Sequence, residues 1–180
     1  MIETNLRQAD KEQLTPRAGA DDLKMIVRPA RPDETDILFG LIHENLETGH
    51  LLPRPRGEIA LHVPRFLVAA GRLAEVLGCA ELSPLGPTTA EVRSLVVTDG
   101  CRGRGVGSRL VRELLDAARH QGFLTLCAFV HQPRTFVRLG FSIVPHLWIP
   151  EKISTNCHTC KWFRRCEQYA VVFDLTQVRC

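Results

Sequence analysis

The stretch from Glu91 to Gly107 constrains the fold more than any other part of the sequence. It reads EVRSLVVTDGCRGRGVG, so a β-branched strand runs into a short polar turn and then into a glycine-spaced loop that opens a helix. Helix N-termini offer unpaired N–H donors and partial positive charge, and glycines let a ligand approach the main chain closely. The segment therefore predicts a site for the pyrophosphate of a nucleotide-bearing cofactor.

The pattern around this segment predicts a single α/β domain with a mixed, mostly antiparallel sheet. A chain of 180 residues is long enough for one substantial core. Turn residues separate the early strands, as in hairpins, whereas an amphipathic helix after the glycine loop indicates one βαβ-like unit. We expect strands near 26–27 and at 66–70, 73–82, 90–97, 123–130, 141–144 and 169–175, the last closing the sheet, with helices at 36–45, 106–120 and 133–138.

Composition and charge exclude several classes of protein. No apolar run approaches the ~20 residues that span a bilayer, so no membrane partner is expected. Residues 1–24 lack the apolar core of a signal peptide, and we interpret them as a flexible N-terminal tail ahead of a domain at 25–180 in a cytoplasmic protein. The net charge is +3 without a basic stripe, which gives no indication of nucleic-acid binding.

Three types of cofactor loop compete for the glycine spacing. A P-loop would end in Gly-Lys-Ser/Thr, which the sequence lacks. A dinucleotide fingerprint would lie near the start of a parallel sheet, whereas Gly103, Gly105 and Gly107 follow antiparallel hairpins. The spacing Arg-x-x-Gly-x-Gly, which begins at Arg102, resembles the acetyl-CoA loop of the GNAT superfamily of N-acetyltransferases. The LGF at 139–141 matches the usual end of that family's short fourth helix.

The resemblance extends over nearly everything from residue 25 to residue 175. One branch is most similar, the short amino-acid N-acetyltransferases that resemble N-acetylglutamate synthase but lack its kinase-like domain. It implies a GNAT-like acyl-CoA N-acyltransferase fold and direct acetyl transfer from acetyl-CoA to the α-amino group of an acidic amino acid, with L-glutamate and arginine biosynthesis as the first expectation. The segments that carry this similarity are LLPR at 51–54, GCAEL at 78–82, AEVRSLVV at 90–97 and IPEKI at 149–153.

The same resemblance implies where the cofactor binds. The loop would surround the pyrophosphate with backbone N–H groups, and the strand before it would pair with the pantetheine arm as an additional β-strand does. A glycine-rich turn without a ligand is the simpler alternative. The expected loop residues are Arg102, Gly103, Arg104, Gly105, Val106, Gly107 and Ser108, and the expected strand residues are Leu95, Val96 and Val97.

The acceptor side is expected to depend on a few side chains. Direct transfer needs a neutral amine, so a base must remove its proton, and the resemblance gives this role to Glu91. Arg54 is the expected clamp for the substrate carboxylate, because a guanidinium presents a planar fork, and Arg56 competes with it. The resemblance also implies that backbone groups near Leu52 and Ser94 orient the acceptor.

The sequence leaves the general acid open. Many superfamily members protonate the leaving thiolate with a tyrosine in the fourth helix, but the matching position here is Phe136. His131, an ordered water or unaided departure of the thiolate are the alternatives. Tyr169, the only tyrosine, is expected in the last strand.

Seven cysteines in a chain without an export signal indicate free thiols or metal ligands, not a disulfide framework. Cys157, Cys160 and Cys166 form C-x2-C-x5-C, and a closed zinc site needs a fourth ligand. His158 lies awkwardly between two of them, which leaves His146 as the substitute. Free or redox-labile thiols are favoured, so no metal is expected.

Two other functions remain open from the sequence. The same chemistry on a polyamine, an antibiotic or a protein N-terminus would need an acidic acceptor pocket, which the arginines in LLPRPR disfavour. A non-catalytic acyl-CoA-binding or metal-responsive module would suit the missing tyrosine and the cysteine cluster. The expected partner is a small-molecule acceptor, with homodimerisation left open.

Overall fold

The computed structural model describes residues 24–47, 51–160 and 162–177. Except for Lys24, the tail expected over residues 1–24 lies outside these ranges. One sheet has seven strands in the order β1-β2-β3-β4-β5-β7-β6, and every neighbouring pair is antiparallel except the parallel pair β4–β5. The strands are β1 Ile26–Pro29, β2 Phe66–Ala70, β3 Val76–Pro84, β4 Thr89–Val97, β5 Thr125–Val130, β6 Ser142–Val144 and β7 Tyr169–Asp174. The predicted mixed, mostly antiparallel sheet is confirmed.

Five α-helices flank the sheet in the described ranges, and none of them is long and apolar enough to cross a membrane. The longest helix, α3, connects β4 to β5 as the expected βαβ unit does. It buries the apolar stripe that begins at Val106 and ends at Ala118, and its C-terminus is followed by Gly122 with φ +80°. The helices are α1 Thr35–Glu44, α2 Arg56–His62, α3 Val106–His120, α4 Arg134–Arg138 and α5 Pro150–Thr155.

Three details differ from the sequence-based expectation. The strand expected from Leu73 begins only at Val76, because Gly71 donates to the Glu75 carbonyl at 2.9 Å and closes a turn in which Leu73 is 91% exposed. The last strand, β7, does not close the sheet; it lies between β5 and β6. The helix α5 was not expected, since a six-residue helix shows little periodicity.

The two faces of the sheet bury different clusters, because successive strand residues point to opposite sides. One face packs on α3 through residues such as Ala80, Leu82 and Leu110. The other face carries two separate clusters. The first joins Phe66 and its neighbours to α1 and α2, and the second surrounds Ile149 at the start of α5. The helices on this second face therefore leave the middle strands partly uncovered.

Candidate active site

A cleft opens where β4 and β5 separate. The two parallel strands pair only from Thr89 to Glu91 on the β4 side, and the register ends at Glu91 opposite Cys127. Beyond that point β4 continues to Val97 and β5 to Val130, each still paired with its other neighbour but no longer with one another. The space has a volume of about 840 Å³ and is bordered by the α1–α2 connection, both strands and the segment after α5. Most of the expected site residues meet here, namely Leu52, Arg54, Glu91, Ser94, Leu95, Val96, Val97 and Arg102.

A β-bulge in β4 shapes the floor of this cleft. Ser94 has φ +50°, and the pairing with β3 shifts between Cys79 and Glu81, so an extra residue is accommodated in β4. The side-chain alternation consequently changes sides. Arg93 precedes the bulge in the cleft wall, whereas Leu95 after it packs against the core beneath α3. The bulge thus separates a stretch that presents charged side chains from a stretch that presents backbone.

The glycine loop carries a row of unused N–H groups. Gly103 and Gly105 have φ +74° and +82°, in the left-handed region that favours glycine. No partner in the described ranges accepts from the backbone N–H groups of residues 103–108, and the first helical bond runs from Arg109 to the Gly105 carbonyl at 3.0 Å. Such a row at the start of α3 fits the phosphate groups of coenzyme A.

The two arginines of this loop are held differently. Arg102 donates to the Val97 carbonyl at 3.2 Å, to Asn45 Oδ1 at 2.5 Å and to Asp99 Oδ1 at 2.9 Å, which ties the loop to β4 and to the end of α1. Arg104 is exposed to solvent. Neither side chain is needed to explain the row of N–H groups, because the backbone alone forms it.

Glu91 is buried beside a lysine that the sequence did not link to it. The Nζ atom of Lys152 donates to Oε1 and Oε2 of Glu91 at 2.6 and 2.7 Å, and the two side chains are 11% and 5% exposed. Lys152 also lies 5.2 Å from the ring centre of Phe129. The pair is 61 residues apart in sequence, so only the fold brings α5 over the end of the paired β4–β5 segment.

Arg54 is the most completely bonded side chain of the cleft. Its Nε and Nη2 atoms lie 2.9 and 2.8 Å from Glu58 Oε1, and Nη1 donates to Glu81 Oε2 at 2.5 Å and to Ser94 Oγ at 3.0 Å. Nη2 also lies 2.9 Å from His62 Nδ1. These five contacts match the five N–H donors of a guanidinium. The competing Arg56 lies instead on an exposed surface, paired with Asp36.

Glu81 explains why Arg54 is held so firmly. Its side chain is fully buried, and its Oε1 atom lies 3.0 Å from His62 Nδ1. Because His62 Nδ1 also lies within hydrogen-bond distance of Arg54, a neutral imidazole that accepts there has no proton for Glu81. Oε1 then has no hydrogen-bond donor among the described residues. A buried carboxylate needs its cation, so Arg54 is required where it stands.

The structure shows which side chains border the cleft and could protonate the leaving thiolate. Phe136 is buried and packs edge-on against Phe141 at 5.1 Å, so this position is part of the core. His131 borders the cleft. His146 does so too, and it donates from Nε2 to the Gln168 carbonyl at 2.8 Å, which leaves Nδ1 as an acceptor when the ring is neutral. Tyr169 lies in β7, half exposed.

The late cysteines form part of the cleft wall. Cys157, Cys160 and Cys166 border the cleft near Lys152 and are free thiols. Burial raises the pKa of the Cys157 thiol, which disfavours its thiolate form. No group of three or more histidine, cysteine or acidic side chains suited to a metal ion occurs in the described part of the chain.

Several residues of this site were missed from sequence. Lys152 and Glu81 lie in segments that carried the resemblance, but no spacing links Glu81 to Arg54, which is 27 residues away. Glu58 and His62 belong to α2 and lie four and eight residues after Arg54. The one sequence signal that could have indicated them is that they are polar residues close after LLPR.

Comparison with known proteins identifies the class. The sequence model of the acetyltransferase (GNAT) family matches residues 36–141, more than half of the chain. The chain belongs to this family, and its reaction class is acetyl-CoA-dependent N-acetyl transfer. It is 26% identical over 149 residues to the uncharacterized N-acetyltransferase CT2212 of Chlorobaculum tepidum, which covers 83% of this chain and 96% of that protein.

Solved structures agree on the fold. Rv2747 from Mycobacterium tuberculosis, in complex with CoA and NLQ, superposes with a TM-score of 0.69 at 20% identity over 83% of this chain and 98% of that one. N-acetylglutamate synthase from Neisseria gonorrhoeae, complexed with coenzyme A and N-acetyl-glutamate, gives a TM-score of 0.75 at 23% identity. The match covers 85% of this chain but spans only 35% of the Neisseria protein. The predicted acyl-CoA N-acyltransferase fold is confirmed.

Proposed function

We propose that this chain transfers the acetyl group of acetyl-CoA to the α-amino group of an acidic amino acid, first of all L-glutamate, by direct attack of the amine. The observation that carries the proposal is the position of Glu91 at the last paired residue before β4 and β5 separate. A carboxylate stands there at the inner end of a cleft. At the other end of β4 lies a loop with free N–H groups.

The loop and the bulged strand would hold the cofactor, which supplies the acetyl group as a thioester. Residues 103–108 would bind its phosphates through backbone N–H groups, with Arg102 holding the loop in place. The unpaired edge of β4 at Leu95 to Val97 would pair with the pantetheine arm. These roles need backbone atoms, which explains why glycines and a bulge matter more here than charged side chains.

Glu91 would accept the proton that the amine gives up. A carboxylate offers about four acceptor positions, and the contacts of Lys152 at 2.6 and 2.7 Å use one on each oxygen. The remaining positions can bind the acceptor's ammonium group or a bridging water. Lys152 compensates the charge of the buried carboxylate, so Glu91 is available in the cleft as a base.

The acidic acceptor is supported by the cations of the cleft and by a structural relative. Arg54, Arg93, Arg102 and Lys152 all border the cleft, whereas Glu91 is its one acidic side chain among the described residues. The Neisseria enzyme, similar in fold, holds N-acetyl-glutamate. If glutamate is the acceptor, the product belongs to arginine biosynthesis.

A thiol-release assay with acetyl-CoA over the twenty amino acids and a set of polyamines tests the proposal. We expect release with glutamate and weaker or no release with basic amino acids, because the cleft contains more cations than carboxylates. Release with polyamines alone would assign the same chemistry to another amine. No release with any acceptor, at an acetyl-CoA concentration that saturates binding, would indicate a non-catalytic module.

A further inference from the structure

Arg54 and Arg93 both border the cleft, and they differ in how many N–H donors are free for a ligand. Arg54 contacts Glu58, Glu81, His62 and Ser94 at 2.5–3.0 Å, so each of its N–H groups faces a partner from the protein itself. Releasing it for a substrate would leave the fully buried Glu81 carboxylate without its cation. An incoming carboxylate would therefore have to displace a stronger internal partner.

Arg93 is available by comparison. Its side chain is 22% exposed, and its only carboxylate within 4.0 Å among the described residues is Glu58, at 3.9 Å from Nη1. That distance exceeds a hydrogen bond, and the same Glu58 oxygen already lies 2.8 Å from Arg54. Glu58 is itself 34% exposed, so water screens its attraction for Arg93. Turning Arg93 toward a ligand consequently breaks no buried ion pair.

The position of Arg93 relative to Glu91 suits an amino acid. Both precede the bulge on β4, two residues apart, and both border the cleft. Residues two apart on a strand point to the same side and are separated by about 6.6 Å along it. An acceptor whose amine faces Glu91 can therefore present a carboxylate of the same molecule to Arg93.

Resting on the proposed function, we propose that Arg93, and not Arg54, binds the carboxylate of the acceptor. Glu81 fixes Arg54 as the residue that holds the α1–α2 connection to β3 and β4. The planar fork of Arg93 then gives two parallel N–H donors to the substrate. The ligand class that this residue selects is a small amine that carries a carboxylate.

Kinetics of Arg93 variants test this assignment. In Arg93→Gln we expect the KM for the best carboxylate-bearing acceptor to rise about 30-fold or more, because a charge-assisted pair is lost. The dissociation constant of coenzyme A, measured by calorimetry, should stay within about twofold. Arg93→Lys keeps the charge without the fork and should give an intermediate KM. The matched control is Arg72→Gln, an exposed arginine in the turn between β2 and β3, which should leave both constants unchanged.

Acceptor analogues separate this inference from the proposed function. Replacing the recognised carboxylate by an amide should raise the wild-type KM, and Arg93→Gln should then add little further loss. An unchanged KM for the carboxylate acceptor in Arg93→Gln would overturn the role of Arg93 while leaving the proposed function intact. If the wild-type protein acetylates only amines without a carboxylate, the inference and the proposed acceptor class fail together.

Discussion

The two halves of the cleft use different parts of the protein, namely backbone groups in one and side chains in the other. The cofactor half, from Leu95 to Ser108, offers backbone N–H groups set by a bulge, two left-handed glycines and the start of α3. The acceptor half offers charged side chains, two of which are held by partners distant in sequence, Glu91 by Lys152 and Arg54 by Glu81. Both halves lie along β4.

Because of this difference, the two halves should respond differently to substitution. A backbone site tolerates most side-chain substitutions but not the loss of a required conformation. A side-chain site depends on pairs, so the removal of one member leaves a buried charge behind. We therefore expect substitutions in the cofactor half to act on binding of coenzyme A, and substitutions in the acceptor half to act on turnover, acceptor affinity and stability.

The largest effect on cofactor binding is expected from Gly105→Val. Gly105 has φ +82°, which a β-branched residue adopts only with strain, so the loop must rearrange and its row of N–H groups is lost. Affinity for coenzyme A should fall about 100-fold or more, corresponding to roughly 3 kcal/mol. Calorimetry measures this. The matched control is Gly100→Ala, in the same loop with no atom within 4 Å of the added Cβ, which should bind normally.

Lys152→Met tests whether removing one member of a buried ion pair in the acceptor half destabilises the protein. It leaves Glu91 buried without a cation, and we expect a loss of about 3–5 kcal/mol in the free energy of unfolding. Denaturant unfolding followed by circular dichroism measures it. The double variant Glu91→Gln with Lys152→Met should recover a substantial part of the loss. Equal losses in the single and double variants would show that the pair does not act as a unit.

Arg54→Gln should destabilise the protein by a similar or somewhat smaller amount. Without Arg54, the His62 Nδ1 atom 3.0 Å from Glu81 Oε1 no longer faces a guanidinium, so a neutral imidazole can donate a hydrogen bond to the carboxylate. Adding Glu81→Gln should restore part of the stability, because the buried charge is then removed as well. A stable Arg54→Gln variant that loses only acceptor affinity would contradict the structural role of Arg54.

The sequence predicted the helix and strand bounds of the cofactor half better than the side-chain partners of the acceptor half. The glycine spacing, the strand before it and the apolar stripe of α3 are local patterns, and they predicted the elements within one or two residues. The partners of Glu91 and Arg54 come from other elements, and α5 is too short to show a period. The prediction for Arg54 rests on the planar fork of its guanidinium and on its place in LLPR, and neither carries information on internal partners such as Glu81.

The smallest expected effect concerns thiol reactivity. The thiolate is the reactive form, and burial raises the pKa of Cys79 to about 12 from an ordinary 9.0. At pH 8 a thiol reagent should modify the exposed Cys166 first and reach Cys79 only on unfolding. Because the protonated thiol favours the folded state, this contribution to stability is present below pH 9.0 and declines as the pH rises toward 12. Mass spectrometry of the labelled protein measures the order of modification.

The central claim is that Glu91 accepts the acceptor's proton at the inner end of the cleft. Binding of coenzyme A in the cofactor half does not depend on Glu91. A paired measurement on Glu91→Gln, turnover with the best acceptor and calorimetric titration of coenzyme A, tests this most directly. We predict that turnover falls about 100-fold or more, the range for a lost general base, while the dissociation constant of coenzyme A stays within about twofold. Unchanged turnover, or an affinity for coenzyme A that falls as steeply as turnover, would contradict the account.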